Sequence, residues 1–342
     1  MKEISTIGLD LAKNVFQVHG VDGEGVAVVK KQIKRHQMLD YFAKLKPCLI
    51  GVEACATAHY WGRELSRLGH TVKLIPPSYV KPYVRRGKND AVDAAAICEA
   101  VSRPHMRFVA IKSEDQQAVL MLHKTRDLLI RERVRLGNAL RGHLAEFGFV
   151  FPAGEAGVRE AMDYVNDLKA SLLPLAQKAL QMLAAQYVAM KKDIAALEKE
   201  IIAWHKTNQD SQRVATIPGI GALGASAIVA TIGNAQQFKA GREFAAWTGL
   251  TPRQNSSGGK DRLGGISKQG NAYLRRLLVL GATGQMRSSR RGQAPGGAWF
   301  GKLIERKSPR VAITALANKT ARVVWAVLTK QEHYRPQQAA AV

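Results

Sequence analysis

Five short apolar segments within residues 3–77 constrain the fold through the order in which they follow one another. The first three lie in EISTIGLD and NVFQVHGVDGEGVAVVKKQ, where only short turns such as VDGEG separate them. Closely spaced strands of this kind predict an antiparallel meander. The fourth and fifth, in CLIGVEA (48–54) and TVKLIPP (71–77), each follow a helix-like segment. Strands joined through helices run parallel, so the fourth strand is expected beside the first.

The N-terminal fold predicted from this order is an α/β mixed sheet flanked by helices, the ribonuclease H-like (RuvC-like) arrangement. Asp10 ends the first strand and Glu53 ends the fourth, so the sheet would make them neighbours. Asp90 and Asp93 lie in KNDAVDAAAICEA, an alanine-rich segment expected to be helical, and residues three apart project from one helix face. Four carboxylates placed in this way can bind two magnesium ions, an arrangement that transfers phosphodiester bonds. Any one of them, Asp90 above all, can instead be a helix cap or a solvated charge.

The chain is strongly basic, and its charge is uneven. The formal net charge is +24 over 342 residues, and residues 251–342 alone hold 17 Lys and Arg against three Asp and Glu. Such a surface attracts a polyanion, and nucleic acid is the expected partner. The apolar content of 46% favours a globular nucleic-acid enzyme over a short, passive basic binder.

Cysteine content and hydropathy exclude several other classes of protein. The three cysteines, Cys48, Cys55 and Cys98, form no CxxC motif, which argues against a disulfide framework and against a structural zinc site. The N-terminus has no secretory signal pattern, and we expect no apolar stretch of membrane-spanning length. These features predict a cytoplasmic protein without membrane association.

Two long segments have apolar residues at helical spacing, from Ser113 to Gly148 and from Ser171 to His205. With the glycines and proline of residues 147–157 as the turn at its tip, this pair predicts a helical coiled-coil arm. The arm would either contribute to oligomerisation or act as a spacer. After it, PGIG in residues 211–233 indicates either a helix-hairpin-helix that offers backbone N–H groups to a phosphate or a tight turn between two packed helices.

The most basic part of the chain, SSGGKDRLGGISKQGNAYLRRLL, combines glycines with cations ahead of a predicted helix (256–278). Glycines allow the backbone to approach a phosphate closely, and the cations supply the countercharge. The residues expected to contact nucleic acid here are Arg253, Lys260, Arg262, Lys268, Arg275 and Arg276.

Several of these motifs together resemble one family. IGLDLAK, GVEACA and KNDAVDA resemble the three acidic motifs of the bridge-RNA or seeker-RNA guided insertion-sequence transposases, and IPGIG, FAAWTGLTPRQNSSGGK and GGISKQGNAYLRRLL resemble their C-terminal domain. The resemblance covers nearly the whole chain. It implies a magnesium-binding DEDD tetrad at Asp10, Glu53, Asp90 and Asp93, and a nucleophilic serine at Ser257, with Ser256 as the adjacent alternative.

The family resemblance also implies a mechanism and a set of partners. The serine would attack a DNA phosphate and form a covalent 5′-phosphoserine link, with donor and target DNA and a non-coding guide RNA as partners. Dimers that assemble into a tetramer are expected. The expected domains are a RuvC-like domain (1–112), the arm (113–208), a mainly α-helical C-terminal transposase domain (209–335) and a disordered tail (336–342).

Two other functions remain open on the sequence alone. One is a metal-dependent nuclease such as a Holliday-junction resolvase, in which water attacks and no covalent link forms. The other is a non-catalytic nucleic-acid-binding protein with a degenerate ribonuclease H-like fold, against which four intact acids argue.

Overall fold

A computed structural model describes residues 3–84, 90–167, 172–290 and 297–335, without the side chains of residues 90, 289, 290, 297 and 298. The predicted disordered tail, 336–342, lies outside the described residues, as do residues 85–89. The chain divides into an N-terminal unit (1–116 with 232–237) and a C-terminal unit (117–231 with 238–342). The separation of residues 113–208 from 209–335 as distinct domains stays a prediction.

The N-terminal unit contains the mixed sheet that the strand order predicts. Its strands lie in the order β3-β2-β1-β4-β5; β1 pairs antiparallel with β2, and β2 with β3. The pairs β1–β4 and β4–β5 are parallel. The mixed sheet with β1 beside β4 is thereby confirmed. The strand bounds are β1 Thr6–Asp10, β2 Val15–Val21, β3 Ala27–Lys34, β4 Leu49–Glu53 and β5 Thr71–Ile75.

Helices cover both faces of this sheet. They are α1 (Met38–Ala43), α2 (Ala58–Arg67), α3 (Pro77–Val80) and α4 (Asp90–Val101). Side chains alternate between the faces of a strand, and the apolar residues of β1 and β2 on one face join the core formed by α1 and α2. The side chains in this core include Ile7, Leu9, Phe16, Phe42, Trp61 and Leu65.

The opposite face receives α4, because two strand residues there lack a side chain. A Cβ atom on Gly8 of β1 would lie 2.0 Å from the carbonyl oxygen of Ala94 and 2.4 Å from the amide nitrogen of Cys98. A Cβ atom on Gly51 of β4 would lie 2.7 Å from Cβ of Val101. The helix therefore lies directly on the backbone of the two central strands.

The C-terminal unit is mainly helical, and two long helices run antiparallel within it. They are α5 (Glu114–Ala145, whose first three residues belong to the N-terminal unit) and α7 (Pro174–Thr207). The helices have 32 and 34 residues, which at ~1.5 Å per residue makes each about 50 Å long. Arg126 of α5 pairs with Glu198 of α7, while Leu144 at the end of α5 packs in one cluster with Leu180 near the start of α7. The pair confirms two long helices, while a coiled-coil arm stays a prediction.

The connection between α5 and α7 is longer and more ordered than the predicted turn. A further helix, α6 (Glu155–Asn166), follows the glycine- and proline-containing segment and packs against both long helices. Its buried residues include Val158, Ala161 and Val165, which follow helical spacing. This apolar pattern spans only two turns and lies next to glycines and a proline that indicate a turn, so the sequence analysis did not predict a helix here. The prediction of a simple helical hairpin was wrong on this point.

The remaining helices of this unit follow α7. They are α8 (Gln209–Ala215), α9 (Ala222–Ile232, whose last residue belongs to the N-terminal unit), α10 (Gly241–Trp247), α11 (Ala272–Arg290), α12 (Gly297–Arg306) and α13 (Pro309–Lys330). By length and composition α13 could cross a membrane, which corrects the expectation that no apolar stretch reaches that length. Its buried residues include Leu316, Ala321 and Val324, so it packs as a core helix.

The PGIG segment forms the turn between α8 and α9, and it packs against α11. Gly219 has φ +81°, and a Cβ atom there would lie 2.4 Å from Nε2 of Gln285. That amide group donates a hydrogen bond of 2.8 Å to the carbonyl oxygen of Pro218. These contacts account for the glycine through packing, which supports a tight turn between packed helices. The phosphate-binding helix-hairpin-helix stays a prediction.

Gly8→Ala is expected to destabilise the N-terminal unit, because the new methyl group would overlap the backbone of α4. Overpacking of this kind typically costs about 1–3 kcal/mol, and here no flexible side chain can move aside. Gly23→Ala is the matched control, since nothing lies within 4 Å of a Cβ atom at that position. Thermal denaturation of both variants measures the difference; equal melting temperatures would contradict this account of the α4 contact.

Candidate functional site

Three of the four predicted acids lie around one end of the sheet. The parallel register of β1 and β4 pairs Leu9 with Val52, so Asp10 and Glu53, the next residues, lie side by side where the two strands end. Asp93 lies in the first turn of α4, the helix that covers these strands. The backbone of Asp90 begins α4, but its side chain lies outside the described residues.

Electrostatic interaction links Asp93 to Glu53. Burial, and then the negative charge of Asp93, raise the pKa of Glu53 above its usual value. The pKa of the nearby Cys55 thiol is also raised, first by desolvation and then by the charges of Glu53 and Asp10. Negative charge is thus concentrated at this end of the sheet, and a bound cation would relieve the repulsion.

The donor set fits a divalent cation that prefers oxygen ligands. Carboxylates at neighbouring strand ends are the groups that magnesium takes in phosphoryl-transfer sites. Within the described part of the chain, no three His, Cys, Asp or Glu side chains are close enough together to hold one metal ion. Asp10, Glu53 and Asp93 thus do not form a complete metal site by themselves. The side chain of the predicted fourth ligand, Asp90, is not among the described residues.

Ser257 lies in a β-hairpin of the C-terminal unit. Strands β6 (Pro252–Gln254) and β7 (Leu263–Ile266) pair antiparallel, where the sequence analysis predicted only a glycine-containing basic segment ahead of a helix. The amide of Lys260 donates to the carbonyl oxygen of Ser257 at 3.1 Å, and the intervening Gly258 and Gly259 have φ +57° and +75°. Two successive positive φ values define a type I′ turn, which explains the SGGK sequence at the tip.

The two adjacent serines, Ser256 and Ser257, have different environments in the hairpin. The hydroxyl of Ser256 accepts a hydrogen bond of 3.1 Å from the backbone amide of Arg262 on the opposite strand. The hydroxyl of Ser257 has no hydrogen-bond partner among the described residues, and its side chain is exposed. Ser256 therefore stabilises the hairpin, whereas Ser257 is available to a ligand.

The six predicted phosphate-binding residues fall into two groups. Arg275 donates to the backbone carbonyls of Thr248 (2.9 Å) and Gln269 (3.3 Å), and Arg276 pairs with Asp127. These two arginines thus have structural partners within the unit. The other four, on or beside the hairpin, are exposed to solvent: Arg253, Lys260, Arg262 and Lys268.

Comparisons with known proteins place the chain in a family. Residues 7–149 match the transposase family DEDD_Tnp_IS110, and residues 211–295 match the family described as Transposase IS116/IS110/IS902 family. A Pseudomonas aeruginosa protein named "Probable family 20 transposase" is 47% identical over 335 residues, which cover 97% of this chain and 99% of the relative. The chain belongs to this transposase family. It is therefore an enzyme that cleaves and transfers DNA.

Two further relatives are named for insertion sequences. The transposase for insertion sequence element IS1328 of Yersinia enterocolitica is 40% identical over 96% of this chain and 98% of its own length. The transposase for insertion sequence element IS1111A of Coxiella burnetii is 41% identical over 98% of this chain and 92% of its own length. Both matches extend over the N-terminal and the C-terminal unit.

The transposase also contains a buried polar network that the sequence analysis did not find. His123 of α5 is 1% exposed; its Nδ1 lies 3.0 Å from the hydroxyl of Tyr273, and its Nε2 lies 3.1 Å from the hydroxyl of Ser226. Because Ser226 donates to the carbonyl oxygen of Ala222 at 2.8 Å, it accepts from Nε2–H, and Tyr273 donates to Nδ1. The only sequence signal was one histidine within the apolar stripe of a long helix.

This network fixes the start of α11 in the transposase. Tyr273 lies in the first turn of that helix, directly after the segment that carries the hairpin. Burial, and then the charge of Arg126, lower the pKa of His123 to about 4, so the imidazole is neutral near pH 7. The network joins α5, α9 and α11 and holds the base of the segment that carries Ser257.

Acidification is expected to destabilise the transposase through His123. Between about pH 6.5 and pH 4 the unfolded chain binds a proton at this histidine and the folded protein does not. The free energy of unfolding therefore decreases as the pH is lowered through this range. The loss reaches about 2 kcal/mol at pH 5. Urea denaturation of His123→Gln should show a smaller decrease between pH 7 and pH 5 than the wild type. His143→Gln, an exposed site on the same helix, is the control; equal decreases in all three proteins would contradict the assignment.

Proposed function

We propose that this transposase cuts DNA with Ser257 as the nucleophile and a magnesium site formed by Asp10, Glu53, Asp90 and Asp93. Membership of the transposase family supplies the reaction class. The observation that carries the finer proposal is the placement of Asp10, Glu53 and Asp93 at one end of the sheet, where burial and then the charge of Asp93 raise the pKa of Glu53. The same proposal gives the exposed hydroxyl at the tip of the hairpin a chemical role.

The reaction steps follow from the groups available. The Ser257 hydroxyl loses its proton and bonds to a DNA phosphorus; the bond from phosphorus to the 3′ oxygen breaks, and that oxygen takes up a proton. The product is a 5′-phosphoserine link and a free 3′ hydroxyl. A pair of magnesium ions would stabilise the charge on the attacking and leaving oxygens. The exposed cations around the hairpin, Arg253, Lys260, Arg262 and Lys268, would hold the neighbouring phosphates.

Recognition of the DNA sequence is proposed to depend on a bound non-coding RNA. The support is the family resemblance together with the composition, which is rich in Lys and Arg but only 6% aromatic. Such a chain can hold nucleic-acid backbones while base pairing reads the sequence. Purification without nuclease treatment, followed by sequencing of the copurified RNA, tests this part. The absence of a discrete RNA species from a preparation that is active in recombination would contradict it.

Asp10→Asn is expected to reduce strand cleavage by at least about a hundredfold, because it removes a charged metal ligand. DNA binding measured by mobility shift should persist, since the cations of the C-terminal unit are unchanged. Asp163→Asn, an exposed acid on α6, is the control and should cleave at the wild-type rate. Cleavage by the Asp10→Asn protein at that rate would remove Asp10 from the site.

Ser257→Ala is expected to abolish both strand transfer and the covalent protein–DNA adduct that denaturing gels detect with labelled DNA. Ser256→Ala should still form the adduct, with a loss of about 0.5–1.5 kcal/mol in hairpin stability from the missing hydrogen bond. Adduct formation that depends on Ser256 would reassign the nucleophile. Magnesium-dependent cleavage by Ser257→Ala without any adduct would instead indicate attack by water, as in a resolvase.

A further inference from the structure

A groove of about 980 Å³ lies beside α4 on the face of the sheet that carries the acids. Strands β2 and β3 form its floor, and the first three turns of α4 form one wall. The polar side chains that face the floor are those of Gln17, His19, Lys30 and Gln32. Lys31 also lines the groove, but its side chain projects to the opposite face of the sheet, over the ring of Tyr41. All groups discussed here belong to the N-terminal unit.

The strand register connects this floor directly to the acids. Asp10 of β1 pairs with Gln17 of β2, which pairs with Gln32 of β3. Directly paired residues project to the same face of a sheet, so a polar row leads from the strand end outward. Adjacent strands are about 4.8 Å apart, which places Gln32 roughly 10 Å across the sheet from Asp10.

A second row on the same face consists of Gly8, His19 and Lys30. Gly8 is covered by α4, whereas His19 is half-buried and Lys30 is exposed in the groove. Among the described residues that line the floor, Lys30 is the cation whose side chain faces the groove, and strands β2 and β3 contain no Asp or Glu. The acid on the helical wall, Glu99, is paired with Arg103. The groove floor is therefore positive and rich in hydrogen-bonding groups.

Protection of an edge strand could explain the lysines by themselves. Strand β3 is the edge of the sheet, and lysine on an edge discourages pairing with another chain. Edge protection requires a charged side chain on the strand, but the side chain can lie on either face of the sheet. Lys31, on the opposite face, would protect the edge as well as Lys30 does. Edge protection also does not explain why Gln17 and Gln32 follow Asp10 in one row, or why His19 lies in the neighbouring row.

We propose that this groove binds the DNA strand that adjoins the phosphate cut at the acid site. Lys30 contacts a phosphate of that strand, while Gln17 and Gln32 can both donate to and accept from sugars and base edges. A single strand suits the site, because one row of side chains about 10 Å long matches one or two nucleotides. The inference rests on the proposed function in one respect, which is that DNA is cleaved at the acid site.

The test measures binding alone, with the full-length Asp10→Asn protein as the background so that the DNA stays intact. Fluorescence anisotropy with a labelled single-stranded DNA oligonucleotide compares Lys30→Gln with Lys31→Gln across a salt series. The two variants lose the same charge from the same strand, but Lys31 lies on the other face, where its ammonium group is 5.3 Å from the ring centre of Tyr41. Melting temperatures confirm that both variants fold.

Lys30→Gln is expected to weaken binding by about three- to tenfold at low salt and to lower the salt-dependence slope by about 0.7, the value for one single-strand phosphate contact. Lys31→Gln should leave the slope unchanged. Equal losses in both variants, or no loss in Lys30→Gln, would overturn the proposal. A loss with RNA of the same sequence but not with DNA would overturn the assignment to DNA. Failure of Ser257 to form an adduct would affect the proposed mechanism and leave this result unchanged.

Discussion

The close contact between α4 and the central strands is the constraint on which the acid site depends. Gly8 and Gly51 let the helix lie on the sheet backbone, and this contact fixes Asp93 relative to the ends of β1 and β4. Burial, and then the charge of Asp93 in that position, raise the pKa of Glu53. A cation bound at this end of the sheet would reduce the repulsion between Glu53 and Asp93, so the placement of α4 is compatible with the proposed metal binding.

The sheet and the acids could be predicted because their signals are local or follow from topology. Strand order, the parallel pairing of β1 with β4 and the meeting of Asp10 with Glu53 require only apolar runs and connection lengths. Helix α6 was missed because its apolar pattern is short, and the hairpin because its strands are polar and exposed. Arg275 was predicted as a phosphate ligand, but its contact with the carbonyl of Thr248 depends on tertiary packing that no local pattern reveals.

The hairpin shows how two neighbouring residues of the same type acquire different roles. In a type I′ turn, successive side chains project to opposite sides of a narrow ribbon. Ser256 satisfies an amide of the opposite strand, while Ser257 lies at the start of the tight turn with its hydroxyl available. The two positive-φ glycines at the tip leave no side chain that could crowd the phosphate of the proposed reaction. Sequence alone left the two serines interchangeable, and backbone geometry separates them.

The distribution of charge along the polar row also has a physical explanation. A lysine in place of Gln17 would lie about 5 Å from Asp10, where an ammonium group would pair with the carboxylate and compete with a bound cation. A neutral amide avoids this competition and can still bind a nucleotide. The positive charge on the floor is that of Lys30 on β3, one strand farther out, where it can attract a phosphate without neutralising the acids. The change from negative through neutral to positive across three adjacent strands would thus orient one DNA strand with its cleaved phosphate at the carboxylates.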